Sequence, residues 1–293
     1  MEAKATGSRT SQLVREIEAR VEELARGTDA LRASETFYNY LKVMGRFHKY
    51  SIGNVLLIFS QMPGATLVAG YHTWQKLGRQ VRKGEKGIAI LAPMTWSKQE
   101  QAEDGSTTEV PVRWWKTVAV FDVSQTDGEP LPELGGIPHE TDEALAALLT
   151  QVAEDRGFHV VIDPDLRDGV QGYSDGREIH ILPDTGTQVL AHELAHTLLR
   201  HPFAVRDGEL SREEAEVEAE GAAYAVAAHF GLDPSSSVPY LVGYWTDAKA
   251  VRAHLEAIRS AAAEIIDAVE AKRKPVRQEF EVSVPALEPA LAG

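Results

Sequence analysis

The 293-residue chain has no cysteine. Disulfides are therefore excluded, and any metal ion must be held by histidine, aspartate or glutamate. No run of about 18 apolar residues occurs, so no membrane-spanning helix is expected. The opening stretch MEAKATGSRTSQLVREIEAR is charged and lacks an apolar core, which sets it apart from a secretory signal. These absences together lead to the expectation of a cytoplasmic protein. What is present is globular in kind: 43% hydrophobic and 25% charged residues give ample material for a core. The length suits one large domain or two ordinary ones.

The net charge of −14 hides an asymmetry. Between Thr36 and Lys98 there are nine lysines and arginines and one acid, Glu85, a local charge of about +8 that leaves about −22 on the remainder. Overall acidity therefore does not argue against a nucleic-acid partner.

Apolar spacing predicts helices over 11–26, 30–44 and 52–61, the last ended by Pro63-Gly64. Residues 66–92 read as strand, short helix and a basic glycine-rich turn into a strand at 88–92. The stretch 99–110 reads as a polar loop, and RWWKTVAVFDV at 113–123 as a strand. A Gly/Pro-dense segment follows. The sequence thus predicts an α+β protein of two domains: an N-terminal α+β nucleic-acid-binding domain at 1–125, a linker at 126–140, a mainly helical C-terminal domain with a small sheet at 141–275, and a loose tail at 276–293. Within the C-terminal part, helices are expected at 141–156, 187–200, 211–231 and 247–272. A strand is expected at FHVVID and a hairpin at GYSDGREIHIL.

The stretch VLAHELAHTLL, residues 189–199, carries His192 and His196 at i and i+4. On a helix both imidazoles leave one face, a turn apart, and can reach one zinc ion. Glu193 lies beside the first histidine and can act as general base toward a water activated by the metal. Catalytic zinc needs a third protein ligand. On the next helix Glu218 sits among alanines, where burial of a carboxylate is costly unless it is ligated. Glu214, one turn earlier, is the alternative, and Glu213, Glu216 and Glu220 are expected in solvent.

AHELAHTLLRH followed by EVEAEGAAYAV resembles the ImmA/IrrE-type zinc metallopeptidases, a gluzincin-like group, over about residues 140–235. The resemblance implies His192, His196 and Glu218 as zinc ligands, Glu193 as base, and an unknown protein or peptide substrate. It names no secure donor for an oxyanion; Tyr173, His180 and Tyr224 are candidates.

The basic segment also holds nine aromatic residues between Phe37 and Trp96, and single-stranded nucleic acid is gripped by cations together with flat rings. Phe59 is expected in the core. Tyr50 beside Lys49, and Trp74 beside Lys76, are the candidate stacking rings. Arg79, Arg82, Lys83 and Lys86 cluster around glycines that let a phosphate approach the backbone. The segment 35–125 resembles the N-terminal domain of ArdC-type antirestriction proteins through YSIGN, the P-x-A-T at 63–66, TWQKLGRQVRKGEKG and FDVSQT. That resemblance implies a single-stranded DNA partner and a place in mobile-element or plasmid biology, and the lack of a long apolar run leads to the expectation of no membrane partner. The sequence therefore leads to the expectation of a DNA-binding zinc peptidase. The alternatives are a DNA-binding antirestriction protein with a non-catalytic zinc site and an acidic DNA mimic, the last opposed by the +8 segment.

Overall fold

The computed structural model describes residues 9–26, 30–101, 107–129, 131, 142–167, 169–183, 185–232 and 247–273. The expected tail, and residues 130 and 132–140 of the expected linker, lie outside them. No helix among the described residues is long and apolar enough to cross a membrane. The chain groups into two compact units. Among the described residues the first takes in 9–18 and 56–131, the second 19–55 and 142–273. The divide falls inside helices α1 (Arg9–Arg26) and α3 (Ile52–Gln61). Residues 19–55 group with the C-terminal half.

The reason for that grouping lies in helix α2 (Ala30–Arg46), which packs on helix α8 (Arg212–His229) within the second unit. Helix α2 buries Phe37, Tyr40, Leu41 and Met44. The facing surface of α8 is rich in alanine, so the helices approach closely. At Gly45 there is no room for a side chain, since a Cβ there would collide with the Ala225 carbonyl oxygen. Tyr38 lies with its ring 4.9 Å from that of Tyr224.

The first unit holds an antiparallel sheet of order β1-β4-β3, with β1 at Val68–Gly70, β3 at Ile88–Gln101 and β4 at Thr107–Asp122. Strands β3 and β4 pair from Ile88↔Val120 to Gln101↔Thr107. Residues 99–101 and 107–110 of the expected loop are thus strand. In a two-stranded ribbon the backbone ladder carries the pairing, and polar side chains do not end it. Helix α4 (Tyr71–Lys76) leads to β2 (Arg79–Val81), which pairs with β5 (Thr126–Gly128). Residues 126–128 of the expected linker are thus strand. Buried Asp122 locks the corner: its carboxylate accepts from the backbone N–H groups of Thr66 (2.7 Å), Leu67 (3.0 Å) and Ser124 (2.9 Å). Gln125 returns the bond to the Asp122 N–H at 2.9 Å and donates to Lys86 O at 2.9 Å. FDVSQT and the segment around Ala65 and Thr66 are thus one hydrogen-bonded structural joint.

In the second unit, helices α5 (Asp142–Asp155), α6 (Thr187–Leu198), α8 and α9 (Ala248–Lys272) enclose an apolar core with a small sheet. Leu145, Leu149, Leu190, Leu194, Val226, Ile265 and Ile266 are almost fully buried in it. The sheet runs β6 (His159–Ile162), β8 (Glu178–Ile181), β7 (Gly172–Ser174), with β8 parallel to β6 and antiparallel to β7. The short helix α7 (His201–Arg206) was not foreseen, because Pro202 reads as a stop. It sits instead in the first turn, where its missing N–H costs nothing.

Candidate metal centre

Helix α6 brings His192 and His196 to one face, as i, i+4 spacing requires. Their Nε2 atoms are 2.9 Å apart. Glu216 of α8 places Oε2 at 3.2 Å from His192 Nε2 and 3.6 Å from His196 Nε2. These three residues form one of the groups whose ligand atoms converge within a metal ion's reach.

The outer nitrogens explain why the inner ones point this way. His192 Nδ1 lies 3.2 Å from Glu220 Oε2, and Glu220 Oε1 accepts from Gln188 Nε2 at 2.9 Å. His196 Nδ1 lies 2.9 Å from His201 Nδ1, and His201 Nε2 lies 2.9 Å from Glu218 Oε2. A carboxylate only accepts, so neutral His201 carries its hydrogen on Nε2 and accepts at Nδ1 from His196. By the same argument His192 carries its hydrogen on Nδ1. Both Nε2 lone pairs and a carboxylate lone pair then converge on one point. A divalent cation satisfies all three, and a carboxylate or a neighbouring acceptor on the outer nitrogen is the usual support of a ligating histidine. The donor set therefore fits a metal.

Titration in the metal-free chain follows the same geometry. Burial alone would lower the His192 imidazolium, but hydrogen bonds to Glu216 and Glu220 and the charge of Glu193 outweigh it and carry it up to about 9. Hydrogen bonds from His192 and His196 hold the Glu216 carboxyl well below the usual range. Burial pushes the Glu193 carboxyl up to about 7.

The carboxylate that the structure brings to the two imidazoles is Glu216 rather than the expected Glu218. Glu218 is buried, 6% exposed, as its alanine surroundings suggested. What satisfies it is a pair of histidines: His201 Nε2 at 2.9 Å and His254 Nδ1 of α9 at 2.6 Å. Glu214 is occupied in the capping box of α8 with Ser211. The carboxylates that meet His192 are Glu216, which is exposed as expected from sequence, and Glu220, which was assigned to solvent but is buried. Their i, i+4 spacing was the available signal: one carboxylate for the inner nitrogen and one for the outer. His201 was also missed. Arg200, in the left-handed region at φ 59°, turns the chain so that His201 comes back against His196.

A cleft of about 1060 Å³ opens over the centre, lined by His192, Glu193, His196, Glu216 and Glu220. Strand β7 forms its other side through Gly172, Tyr173 and Ser174. A Cβ at Gly172 would crowd Val189 Cγ1 at 3.0 Å and Glu193 Cγ at 3.1 Å, so glycine lets the strand come this near. Of the three candidate oxyanion donors only Tyr173 lines the cleft. Tyr224 is buried against Tyr38, and His180 is stacked under Tyr173 with ring centres 4.6 Å apart.

The expected DNA residues are divided. Lys49 and Tyr50 fall in the second unit, the others in the first. Trp74 is corrected to core: it is fully buried, and its indole N–H donates to Phe121 O at 2.8 Å. Arg79 is also structural, its guanidinium donating to Thr126 Oγ1 at 2.8 Å and to Thr126 O at 2.9 Å across the β2–β5 pair. Arg82 is exposed but bridges Glu85 at 2.8 Å and Asp127 at 3.3 Å. Lys76, Lys83 and Lys86 are exposed. Tyr50 is half-buried against Phe47. Trp114 and Trp115, not among the expected contacts, are 49% and 50% exposed on β4 beside exposed Lys116. Tyr71, Arg82 and Lys83 line a groove of about 620 Å³ in the same unit.

Residues 3–121 match the family model described as the N-terminal domain of the anti-restriction factor ArdC. The fold is ArdC-like. It superposes on the Mn(II)-bound crystal structure of the antirestriction ArdC protein from the R388 plasmid with a TM-score of 0.50 and 20% identity, covering 92% of this chain and 100% of that one. The metal-free crystal structure of ArdC from R388 gives a TM-score of 0.47 at 22% identity, over 76% and 86% of the two chains. An uncharacterized protein of Bacillus anthracis, pXO2-81, is 25% identical over 267 residues, 75% of this chain. The match spans 44% of that relative's length.

Proposed function

We propose that the protein is an antirestriction-type, single-stranded-DNA-binding metallopeptidase that holds zinc on His192, His196 and Glu216. The observation that carries this reading is the convergence of those three ligand atoms in a cleft that Glu193 also lines. Two imidazoles, one carboxylate and an open side are the donor set of catalytic zinc. An ArdC structure of the same fold is described as Mn(II)-bound, in keeping with a divalent ion. When bound, the ion supplies Lewis acidity toward water and toward a peptide carbonyl. Glu193 takes the proton from the attacking water and returns it to the leaving amine, work suited to a carboxyl titrating near neutrality. Tyr173 faces the cleft as a donor for the carbonyl oxygen. Strand β7 is a sheet edge, and an extended peptide can pair along such an edge. The chain His196–His201–Glu218–His254 keeps the second imidazole in its ligating tautomer.

Replacing His192 and His196 together by alanine is expected to remove one metal equivalent per chain and all protein-hydrolysing activity, read by elemental analysis and by digestion of an unfolded test protein. Loss of the metal equivalent with no hydrolysis by the wild type at any stage would leave a non-catalytic metal site instead.

On the DNA side, the fit to the ArdC N-terminal model and the exposed rings of β4 support binding in the first unit. Trp114→Ala and Trp115→Ala should each weaken single-stranded DNA binding by roughly 1–3 kcal/mol if the ring stacks on a base. Neutralising Lys83 and Lys86 should flatten the dependence of affinity on salt. Fluorescence titration at several salt concentrations checks both, and unchanged affinity in all these variants would move the DNA surface elsewhere.

A further inference from the structure

A second cluster of histidines and carboxylates in the second unit takes no part in the proposed reaction. His48 lies in the turn after α2, His229 is the last residue of α8, and Asp267 and Glu270 stand one turn apart on α9. His48 Nε2 is 3.2 Å from Asp267 Oδ1, and His229 Nε2 is 3.0 Å from Glu270 Oε1. Ligand atoms of His48, Asp267 and Glu270 all lie within 4.8 Å of one another. Both Nδ1 atoms turn to one acceptor, the Gly45 carbonyl oxygen, at 3.1 Å and 3.0 Å. A carbonyl only accepts, so each Nδ1 carries the hydrogen.

A neutral ring held this way aims the lone pair of Nε2 at a carboxylate oxygen, which has nothing to donate. Each pair then needs a proton or a metal cation between nitrogen and oxygen. The ring centres are 5.1 Å apart, edge to face, and His48 is only 5% exposed. Two positive rings at that spacing, one of them buried, are unfavourable. A divalent ion satisfies the lone pairs with a single charged centre, and an Nδ1–H bonded to a backbone carbonyl is the normal outer support of a ligating histidine.

We propose that His48, Asp267 and Glu270 hold a second divalent transition-metal ion of the zinc type, with His229 beside Glu270 at its edge. The ion ties the turn after α2 to α9, away from the cleft, and its role is structural. Lys49 is the competing cation, with Nζ 3.8 Å from Asp267 Oδ1. Its side chain is 62% exposed and can withdraw into water.

The test is zinc content by elemental analysis after equilibrium dialysis of the tag-free full chain. The variant His192→Ala/His196→Ala is expected to retain one zinc per chain, and adding Asp267→Asn with Glu270→Gln is expected to remove it. No zinc in the natively folded His192→Ala/His196→Ala variant, or an equivalent that survives the carboxylate changes, overturns the proposal. If that variant does not fold, the wild type is compared with Asp267→Asn/Glu270→Gln alone. Both carboxylates are partly exposed, 54% and 37%, so the isosteric amides spare the core. A fall of one equivalent supports the second site whatever the first centre holds, and unchanged content overturns it.

Discussion

Glu216→Ala is expected to weaken metal binding at the proposed His192–His196 centre more than 100-fold, whereas Glu220→Gln should weaken it by about 10–100-fold, the range of an outer partner of a ligating histidine. Glu216 places an oxygen 3.2 Å and 3.6 Å from the two inner nitrogens, so its loss removes a ligand. Glu220 touches only the outer nitrogen of His192, so its loss leaves three donors with a poorly held ring. Glu218→Gln belongs with Glu220, since it acts on His196 through His201. Competition with a chromophoric chelator ranks the three variants, and a Glu218 variant as weak as the Glu216 one would reverse the assignment. The same titration carries a pH signature. With the His192 imidazolium raised to about 9 in the metal-free chain, binding at neutral pH displaces a proton. Affinity should therefore rise as pH climbs from neutrality toward 9 and fall on acidification.

Glu193→Gln is expected to leave metal content unchanged and to lower peptide hydrolysis by roughly 10²–10⁴-fold, the usual contribution of a positioned general base. Glutamine keeps the size of the side chain in a place that is 6% exposed, so packing is preserved while the proton acceptor is lost. A turnover rate within a few-fold of the wild type, with metal in place, would remove Glu193 from the chemistry.

The helix pair of the centre was partly legible in the sequence. His192 and His196 could be placed because i, i+4 spacing is a local property of one helix. The third carboxylate could not be placed by the same means. Glu218 was correctly expected to be buried and in need of a partner, but its partners are His201, which depends on the left-handed turn at Arg200, and His254, 36 residues further on. A buried carboxylate beside a histidine motif reads as a ligand until those distant rings are known. The surface was harder still. Trp74 stands next to Lys76 in sequence, yet the turn of α4 sends the indole inward and the lysine outward. Arg79 looked like a phosphate contact but spends its donors on β5. Trp114 and Trp115 were read only as strand, because alternation predicts one buried face and β4 leaves both rings about half exposed. The helix spans were read to within a few residues, while the grouping of residues 19–55 with α8 depends on small residues meeting across a long loop of chain.

Crystals grown with zinc and measured at its absorption edge give the most direct measurement. An anomalous peak about 2.0–2.2 Å from His192 Nε2, His196 Nε2 and a Glu216 oxygen is expected. A peak coordinated by Glu218 in place of Glu216, or no peak between the two imidazoles at saturating zinc, would contradict the assignment.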